Sequence, residues 1–157
     1  MSKSQWIPAQ QLTIHKEKEG WISTHPPGCK STVVYELRNA TLLDIGGKID
    51  AKNLIKNKVY NAYLVFKLKE GSKGLEQAKA LVRFAVDVVQ GVDHQATDVS
   101  LVGQIPRQLN YGWKEIKLGD FQPDEEDKGL VEMRLFEKET GKPKSGLIVK
   151  GIEVRTT

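Results

Sequence analysis

The stretch NAYLVFKLK, Asn61–Lys69, decides the fold because its side chains alternate in character along the chain. In an extended chain, one face carries four apolar side chains: Ala62, Leu64, Phe66 and Leu68. The opposite face is mixed and carries Tyr63, Val65 and Lys67. A period of two predicts a β-strand with one face in a core and the other near solvent.

Similar short runs, separated by Gly, Pro, Asn or Asp, recur on both sides of this strand. They are STVVYELR (Ser31–Arg38), LLDIGGKID (Leu42–Asp50), WKEIKLGDF (Trp113–Phe121), LVEMRLFEK (Leu130–Lys138) and GLIVKGIEVR (Gly146–Arg155). In the last run, Leu147 and Val149 are expected on one face. The opposite face would then carry Ile148, Lys150, Ile152 and Val154. Short strands at this spacing are typical of an all-β sandwich or barrel.

Three segments between the strands need separate interpretation. Gly46-Gly47 is predicted to form a bend or bulge. LEQAKALVRFAVDVVQG, Leu75–Gly91, favours a helical turn at Leu75–Lys79 followed by a strand, with a single helix ending at Gly91 as the alternative. EKETGKPKSG, Glu137–Gly146, is typical of a hairpin connection with its turn at Thr140-Gly141.

Composition indicates a soluble globular protein, and we expect no cofactor. The 157 residues favour one domain spanning 1–157, and the net charge is only +4. The single cysteine, Cys29, excludes an internal disulfide and favours a cytosolic compartment. The beginning of the chain, MSKSQWIPAQQL, has no apolar run of signal-peptide length, and no later stretch is apolar enough to span a membrane.

Catalysis has little support in the residue pattern. The histidines His15, His25 and His94 have no metal-ligand spacing. Cys29 follows Pro-Pro-Gly with no evident helix N-terminus to activate its thiol, and the acidic run Glu125–Asp127 lacks a calcium-loop pattern. A glycosidase built on two of the 20 acidic residues stays open, because spacing along the chain does not show which carboxylates meet in space.

Binding has more support, and it centres on Trp21. This residue lies in a polar stretch rich in Pro and Gly, HKEKEGWISTHPPG, which spans His15–Gly28. Its indole is either a loop anchor or a platform for the apolar C–H face of a sugar, and the local sequence leaves both open. Trp6 and Trp113 lie beside apolar residues, and we expect them to pack in the core or at its rim.

A resemblance to plant phloem lectins covers the chain from Gln5 to Arg155. The motifs that carry it are QWIPAQQLTI, YELRNATLLDIGGKIDAKNL, KVYNAYLVFKL, VRF, GWKEIKLGDF, VEMRLFE and KSGLIVKGIEVR, in that order. The chain resembles the phloem protein two and tobacco jasmonate-inducible lectin type, and in particular the small cucurbit members. The resemblance implies a β-sandwich of jelly-roll type. It also implies a non-enzymatic, often dimeric protein of the cytoplasm or phloem sap, which binds N-acetylglucosamine oligomers or N-glycan cores.

The resemblance also assigns roles to particular residues. A binding tryptophan in the N-terminal loop matches Trp21, and a glutamate after the VEMRL strand matches Glu137. The neighbouring loop makes Lys144 and Ser145 weaker candidates, and Ser23 is expected at the rim of the site. A tobacco relative has a second tryptophan where His15-Lys16 stand here, and a tryptophan where Pro143 stands. These departures predict a single stacking surface with mainly polar contacts around it.

A nucleic-acid carrier is the second functional hypothesis. Cucurbit relatives are linked to RNA in phloem sap, and the densest basic stretch of the chain is KIDAKNLIKNK. It contains Lys48, Lys52, Lys56 and Lys58. A solvated strand end with its following loop explains the same lysines without a ligand. Steep weakening at high salt would distinguish RNA binding from the binding of a neutral sugar.

Overall fold

Antiparallel strands make up most of the protein in a computed structural model, which describes residues 4–14, 20–26, 32–84, 96–103, 106–124 and 129–156. The first six strands are β1 (Ser4–Pro8), β2 (Thr13–Ile14), β3 (Trp21–Thr24), β4 (Val34–Leu37), β5 (Leu43–Asp50) and β6 (Tyr60–Lys73). The others are β7 (Ala78–Phe84), β8 (Thr97–Val99), β9 (Arg107–Gln108), β10 (Lys114–Phe121), β11 (Leu130–Glu137) and β12 (Ser145–Thr156). Short 3-10 helices cover Ala9–Gln11, Ala51–Asn53 and Asn110–Gly112.

The strands form two sheets that pack face to face. The larger sheet has the order β3-β4-β12-β6-β10-β9, and β1 pairs with the second half of β12. The smaller sheet has the order β2-β5-β11-β7-β8. Both sheets bury alternate side chains against each other, as aligned sheets do. The predicted all-β sandwich of jelly-roll type is therefore confirmed.

The core follows the alternation that the sequence predicts for β6. Ala62, Leu64 and Phe66 have no exposed surface, and Leu68 packs against the same core. Across the sandwich, β11 contributes three further side chains with no exposed surface, Val131, Met133 and Leu135. Burying alternate side chains of a strand fixes its register, because a slip of one residue would turn the apolar set to solvent.

The predicted faces of β12 are wrong beyond Val149. Leu147, Val149, Ile152 and Val154 all have no exposed surface, so they share the inner face. The cause is a β-bulge: the register with β6 shifts between Val149 and Gly151. One extra residue in a strand inverts the alternation after it, and a uniform period of two therefore assigns Ile152 and Val154 to the wrong face.

Two other local predictions are corrected by strand pairing. Gly46-Gly47 forms neither bend nor bulge, because both glycines pair in unbroken register with Arg134 and Met133 of β11. A side chain at Gly47 would lie 3.1 Å from Leu12 and 3.2 Å from Ile152, so this glycine permits close packing inside the core. The expected helical turn at Leu75–Lys79 is absent, and β7 begins at Ala78 because its alanines pair into the smaller sheet.

The segment Glu137–Gly146 is not a hairpin connection. It joins β11 of the smaller sheet to β12 of the larger one, so it crosses from one layer to the other. Its turn residue Gly141 does adopt the expected positive φ, +67°, and Pro143 lies outside the strands. This crossover segment carries several of the predicted site residues.

Several sequence predictions lie outside the described residues. They concern His15, Lys16, Cys29, Val86, Val88, Gly91, His94 and the acidic run Glu125–Asp127. Within the described part of the chain, no helix is long and apolar enough to cross a membrane.

Candidate functional site

The predicted sugar-binding residues gather at one end of the sandwich. We call it the loop end: β3, β5, β7 and β12 begin there, and β4, β6, β8 and β11 end there. The pairings Trp21 with Leu37, Leu43 with Glu137, and Lys73 with Ser145 define this end in both sheets. Antiparallel pairing thus brings Trp21 and Glu137 to the same end, although more than a hundred residues separate them in sequence.

Trp21 is the first residue of the edge strand β3 and lies on the inner face of the larger sheet. It stands opposite Leu37, which is fully buried, and its ring packs against the core while part of it stays exposed. The preceding carbonyl of Gly20 accepts hydrogen bonds from the backbone N–H groups of Arg38 and Asn39, at 2.6 and 3.3 Å. These bonds hold the start of β3, so the indole has a fixed orientation at the edge of the sheet.

Ser23 lies on the same face of β3 as Trp21, two residues further along. It is exposed and stands opposite Tyr35 of β4. Side chains two apart on a strand point the same way, about 7 Å from each other. Ser23 therefore presents an exposed side chain on the same face of β3 as Trp21.

Glu137 ends β11 and is bound entirely within the protein. Its Oε1 accepts hydrogen bonds from the Lys144 ammonium at 2.7 Å and from the Thr140 hydroxyl. Its Oε2 accepts from the backbone N–H groups of Glu139 at 2.8 Å and Thr140 at 3.0 Å. A carboxylate has about four accepting positions, and all of them are occupied here.

The partners of Glu137 keep its carboxylate charged. Burial by itself would raise the pKa of Glu137. The hydrogen bonds from Lys144, Thr140 and the backbone N–H groups outweigh burial, and they lower the pKa from 4.5 to about 2. The site thus holds a permanent carboxylate at neutral pH, paired with a buried ammonium group.

Lys144 is the interior partner in this pair. Its side chain has no exposed surface, and its Nζ also donates to the carbonyls of Thr41 at 2.9 Å and Lys142 at 3.1 Å. Its backbone exchanges two hydrogen bonds with Ala40, at 2.7 and 3.1 Å. These contacts fasten the crossover segment to the chain between β4 and β5, next to the residues that hold Gly20.

Beside the crossover segment lies an open cavity of about 770 Å³. Strands of both sheets and the crossover segment contribute its wall, which includes Gln77, Lys79, Asp98, Phe136, Glu137 and Thr140. Lys79 and Asp98 form an ion pair of 3.0 Å at its edge. Among these residues, the sequence motifs predicted only Glu137 as a site residue, because strands far apart in sequence contribute most of the others.

The remaining predicted residues lie in two places. Ser145 opens β12 at the loop end, next to Lys144 and opposite Lys73. The lysines of the RNA hypothesis are at the opposite end, since β5 runs from the loop end to Asp50. Two of them are already engaged: Lys52 pairs with Asp50 at 3.7 Å, and Lys56 donates to the carbonyl of Ala51 at 3.3 Å.

Metal binding finds no support in the described ranges, where no group of three or more His, Cys, Asp and Glu side chains is placed to hold an ion. The expectation that no metal takes part stays a prediction for the whole chain.

A comparison with known families matches residues 2–156 to the family described as phloem protein 2. The chain belongs to the phloem protein 2 family. The resemblance drawn from the sequence motifs is therefore confirmed over nearly the whole chain.

Curated members of the phloem protein 2 group from Arabidopsis thaliana are similar to this chain. The putative F-box protein PP2-B12 is 34% identical over 87% of this chain and 54% of its own length. Protein PHLOEM PROTEIN 2-LIKE A1 is 28% identical over 86% of this chain and 52% of its own length. The chain thus spans about half the length of these relatives.

The fold also occurs outside the phloem protein 2 family. A GH26-CBM35 β-(1,4)-mannanase from Podospora anserina superimposes with a TM-score of 0.57 at 8% identity, over 99% of this chain and 28% of that one. At so low an identity the likeness concerns the fold alone.

Proposed function

We propose that this chain is a non-catalytic lectin that binds N-acetylglucosamine oligomers at the loop end of the sandwich. The observation that carries the proposal is Trp21: an indole held at a sheet edge, with one part packed on the core and the rest exposed. Membership of the phloem protein 2 family supports it, because the sequence resembles the lectins of that family in this same tryptophan.

The chemistry of the site suits a pyranose ring. The apolar C–H face of a sugar packs on an indole, and its hydroxyl and acetamido groups need polar partners around that platform. Ser23 supplies an exposed hydroxyl beside Trp21. The cavity of about 770 Å³ is a separate feature, because its wall comes from β7, β8, β10, β11 and the crossover segment and includes no described residue of β3.

Glu137 and Lys144 enter this proposal as residues that position the crossover segment. With all its accepting positions occupied, Glu137 would have to release an internal partner in order to bind a sugar hydroxyl. A direct contact between Glu137 and the sugar, and equally one from Lys144 or Ser145, stays a prediction.

An open site with one stacking surface should bind weakly, with a Kd of about 10–1000 μM per site. A homodimer, which we also propose, would raise the avidity for glycans that present several chain ends. RNA binding by Lys48, Lys52, Lys56 and Lys58 stays a prediction that no contact in the structure favours.

Calorimetric titration with chitotriose tests the proposal. Trp21→Ala should weaken binding at least tenfold, because it removes the stacking surface. Tyr111→Ala is the matched control, since this aromatic side chain is 90% exposed and lies in the loop between β9 and β10. Unchanged affinity of the Trp21→Ala variant would refute the proposed platform.

The same protein tests the glycosidase alternative. Chitotriose incubated with it for days should be recovered intact by mass spectrometry. Two results together would instead establish hydrolysis: the protein releases shorter products, and a folded Glu137→Gln variant does not release them.

A further inference from the structure

We propose a second ligand site, on the outer face of the larger sheet, that binds a pyranose ring carrying an anionic group. Its parts are an exposed tryptophan, Trp6, and a lysine beside it, Lys150. The site is separate from Trp21, because Trp21 lies on the inner face of the sheet and Trp6 on the outer face. It therefore does not depend on the function proposed above.

Trp6 is presented by the backbone of β12. Its side chain is 45% exposed on β1, which pairs with the second half of β12. A Cβ atom at Gly151 would come within 2.7 Å of the indole, so the ring lies directly over this glycine. The bulge that inverts the alternation of β12 places Gly151 at this point. A tryptophan fixed in this way offers a flat apolar surface to a ligand.

A groove of about 370 Å³ runs along this tryptophan. It is lined by Trp6, Pro8, Gln10, Thr32, Val33 and Lys150. Its volume is near the lower limit of small-molecule sites, which suits one or two sugar rings. The amide of Gln10 provides donors and an acceptor of the kind that sugar hydroxyls bind.

Lys150 gives the groove its charge preference. Its ammonium group lies 5.1 Å from the ring centroid of Trp113, and the ammonium of Lys67 lies 4.5 Å from the same centroid. Among the described residues, neither lysine has a carboxylate within ion-pair distance. Two cations that converge on one indole with no acid partner create a positive potential that an anion would neutralise.

The carboxylates of this sheet face are already paired with other cations. Glu36 pairs with Arg38 and Lys69, each at 3.2 Å. Glu115 pairs with Arg155 at 2.6 Å, and Glu153 pairs with the same arginine. Among the acidic residues that the structure describes, none pairs with Lys67 or Lys150, and Lys150 is the one of the two that lines the groove. A neutral sugar would not interact with this positive charge, whereas a carboxylate or sulfate on the ring would form an ion pair with it.

The test is a titration with the trimer of galacturonic acid and, as the matched neutral ligand, its methyl ester. The acid form should bind at least tenfold more tightly than the ester, and only its affinity should fall as sodium chloride is raised. Lys150→Met keeps a long unbranched side chain without the charge and should remove the preference for the acid. Trp6→Ala should weaken both ligands at least tenfold and leave chitotriose binding unchanged.

A second measurement uses only the wild-type protein, so its result does not depend on whether a variant folds. In the wild-type protein, the indole N–H resonance of Trp6 should shift during titration with the acid trimer, and that of Trp21 should not. No binding of the acid trimer, or binding that Trp6→Ala and Lys150→Met leave unchanged, would overturn the proposal. It would also be overturned if single-stranded oligouridylate bound through Trp6 and Lys150 while the acid trimer did not.

Discussion

At the scale of single residues, Glu137 connects the loop end of the fold to the crossover segment. Its carboxylate is held by Lys144, Thr140 and the backbone of the turn, and Lys144 has no other charged partner among the described residues. An ammonium group with no exposed surface needs a counter-charge, because the interior does not solvate it. This ion pair therefore supplies the counter-charge that lets Lys144 stay buried, while the backbone bonds of Lys144 with Ala40 also hold the crossover segment.

Glu137→Gln should lower the free energy of unfolding by about 3–5 kcal/mol, since it leaves the ammonium of Lys144 buried without a counter-charge. Urea denaturation at pH 7, followed by tryptophan fluorescence, measures the change. Glu139→Gln is the matched control: its side chain is exposed, so its effect should stay within about 0.5 kcal/mol. Equal stability of the two variants would contradict the role assigned to the pair.

The sequence predicted that Glu137, Lys144 and Ser145 belong together, but not what they do. A motif places a carboxylate and a lysine seven residues apart near a loop. Whether they face a ligand or each other depends on the path of the crossover segment, which residues far away in sequence determine through Ala40 and Thr41.

At the scale of elements, β12 shows how one extra residue changes which side chains of a strand face the core. The bulge between Val149 and Gly151 returns Ile152 and Val154 to the core, and the ring of Trp6 lies over Gly151 just after it. The run GLIVKGIEVR correctly predicted a strand. A bulge adds one residue to a regular alternation, so the same run placed the side chains of the second half of the strand on the wrong face.

Gly151→Ala should destabilise the protein by about 1–3 kcal/mol, because the added methyl group would overlap the backbone carbonyl of Ile7 as well as the Trp6 ring. Gly46→Ala is the matched control, since a methyl group there would meet only ordinary contacts of 3.6 Å or more. Thermal unfolding of the two variants, followed by tryptophan fluorescence, measures the difference in their stability. A Gly151→Ala protein as stable as Gly46→Ala would show that β1 adjusts without cost.

At the scale of the whole molecule, the crossover ion pair links stability to pH. Because the folded protein lowers the pKa of Glu137 from 4.5 to about 2, it binds this proton less readily than the unfolded chain does. The contribution of Glu137 to stability is therefore complete above about pH 4.5 and is lost as the pH falls towards 2. Its full size is on the order of 3 kcal/mol.

Urea denaturation at several pH values checks this dependence. The difference in stability between the wild-type protein and Glu137→Gln should be constant from pH 7 to about 5, and it should shrink steadily below that. A difference that stays the same down to pH 2.5 would show that Glu137 is not the group responsible.

Taken by itself, the sequence did not show β1, β2, β3, β8 and β9, and it placed Trp21 in a loop where β3 begins. It did determine that the protein is an all-β sandwich and where the strands β4, β5, β6, β10, β11 and β12 lie. These features depend on local alternation and on motifs, both of which are visible along the chain. Only the tertiary structure decided the faces of β12, the crossing of Glu137–Gly146 between sheets and the pairing of Glu137 with Lys144. It also brought Trp6 and Lys150 into one groove. The physical reason is that these contacts join residues that are far apart in sequence. Which of them meet depends on the pairing register of the strands and on which side chains are buried.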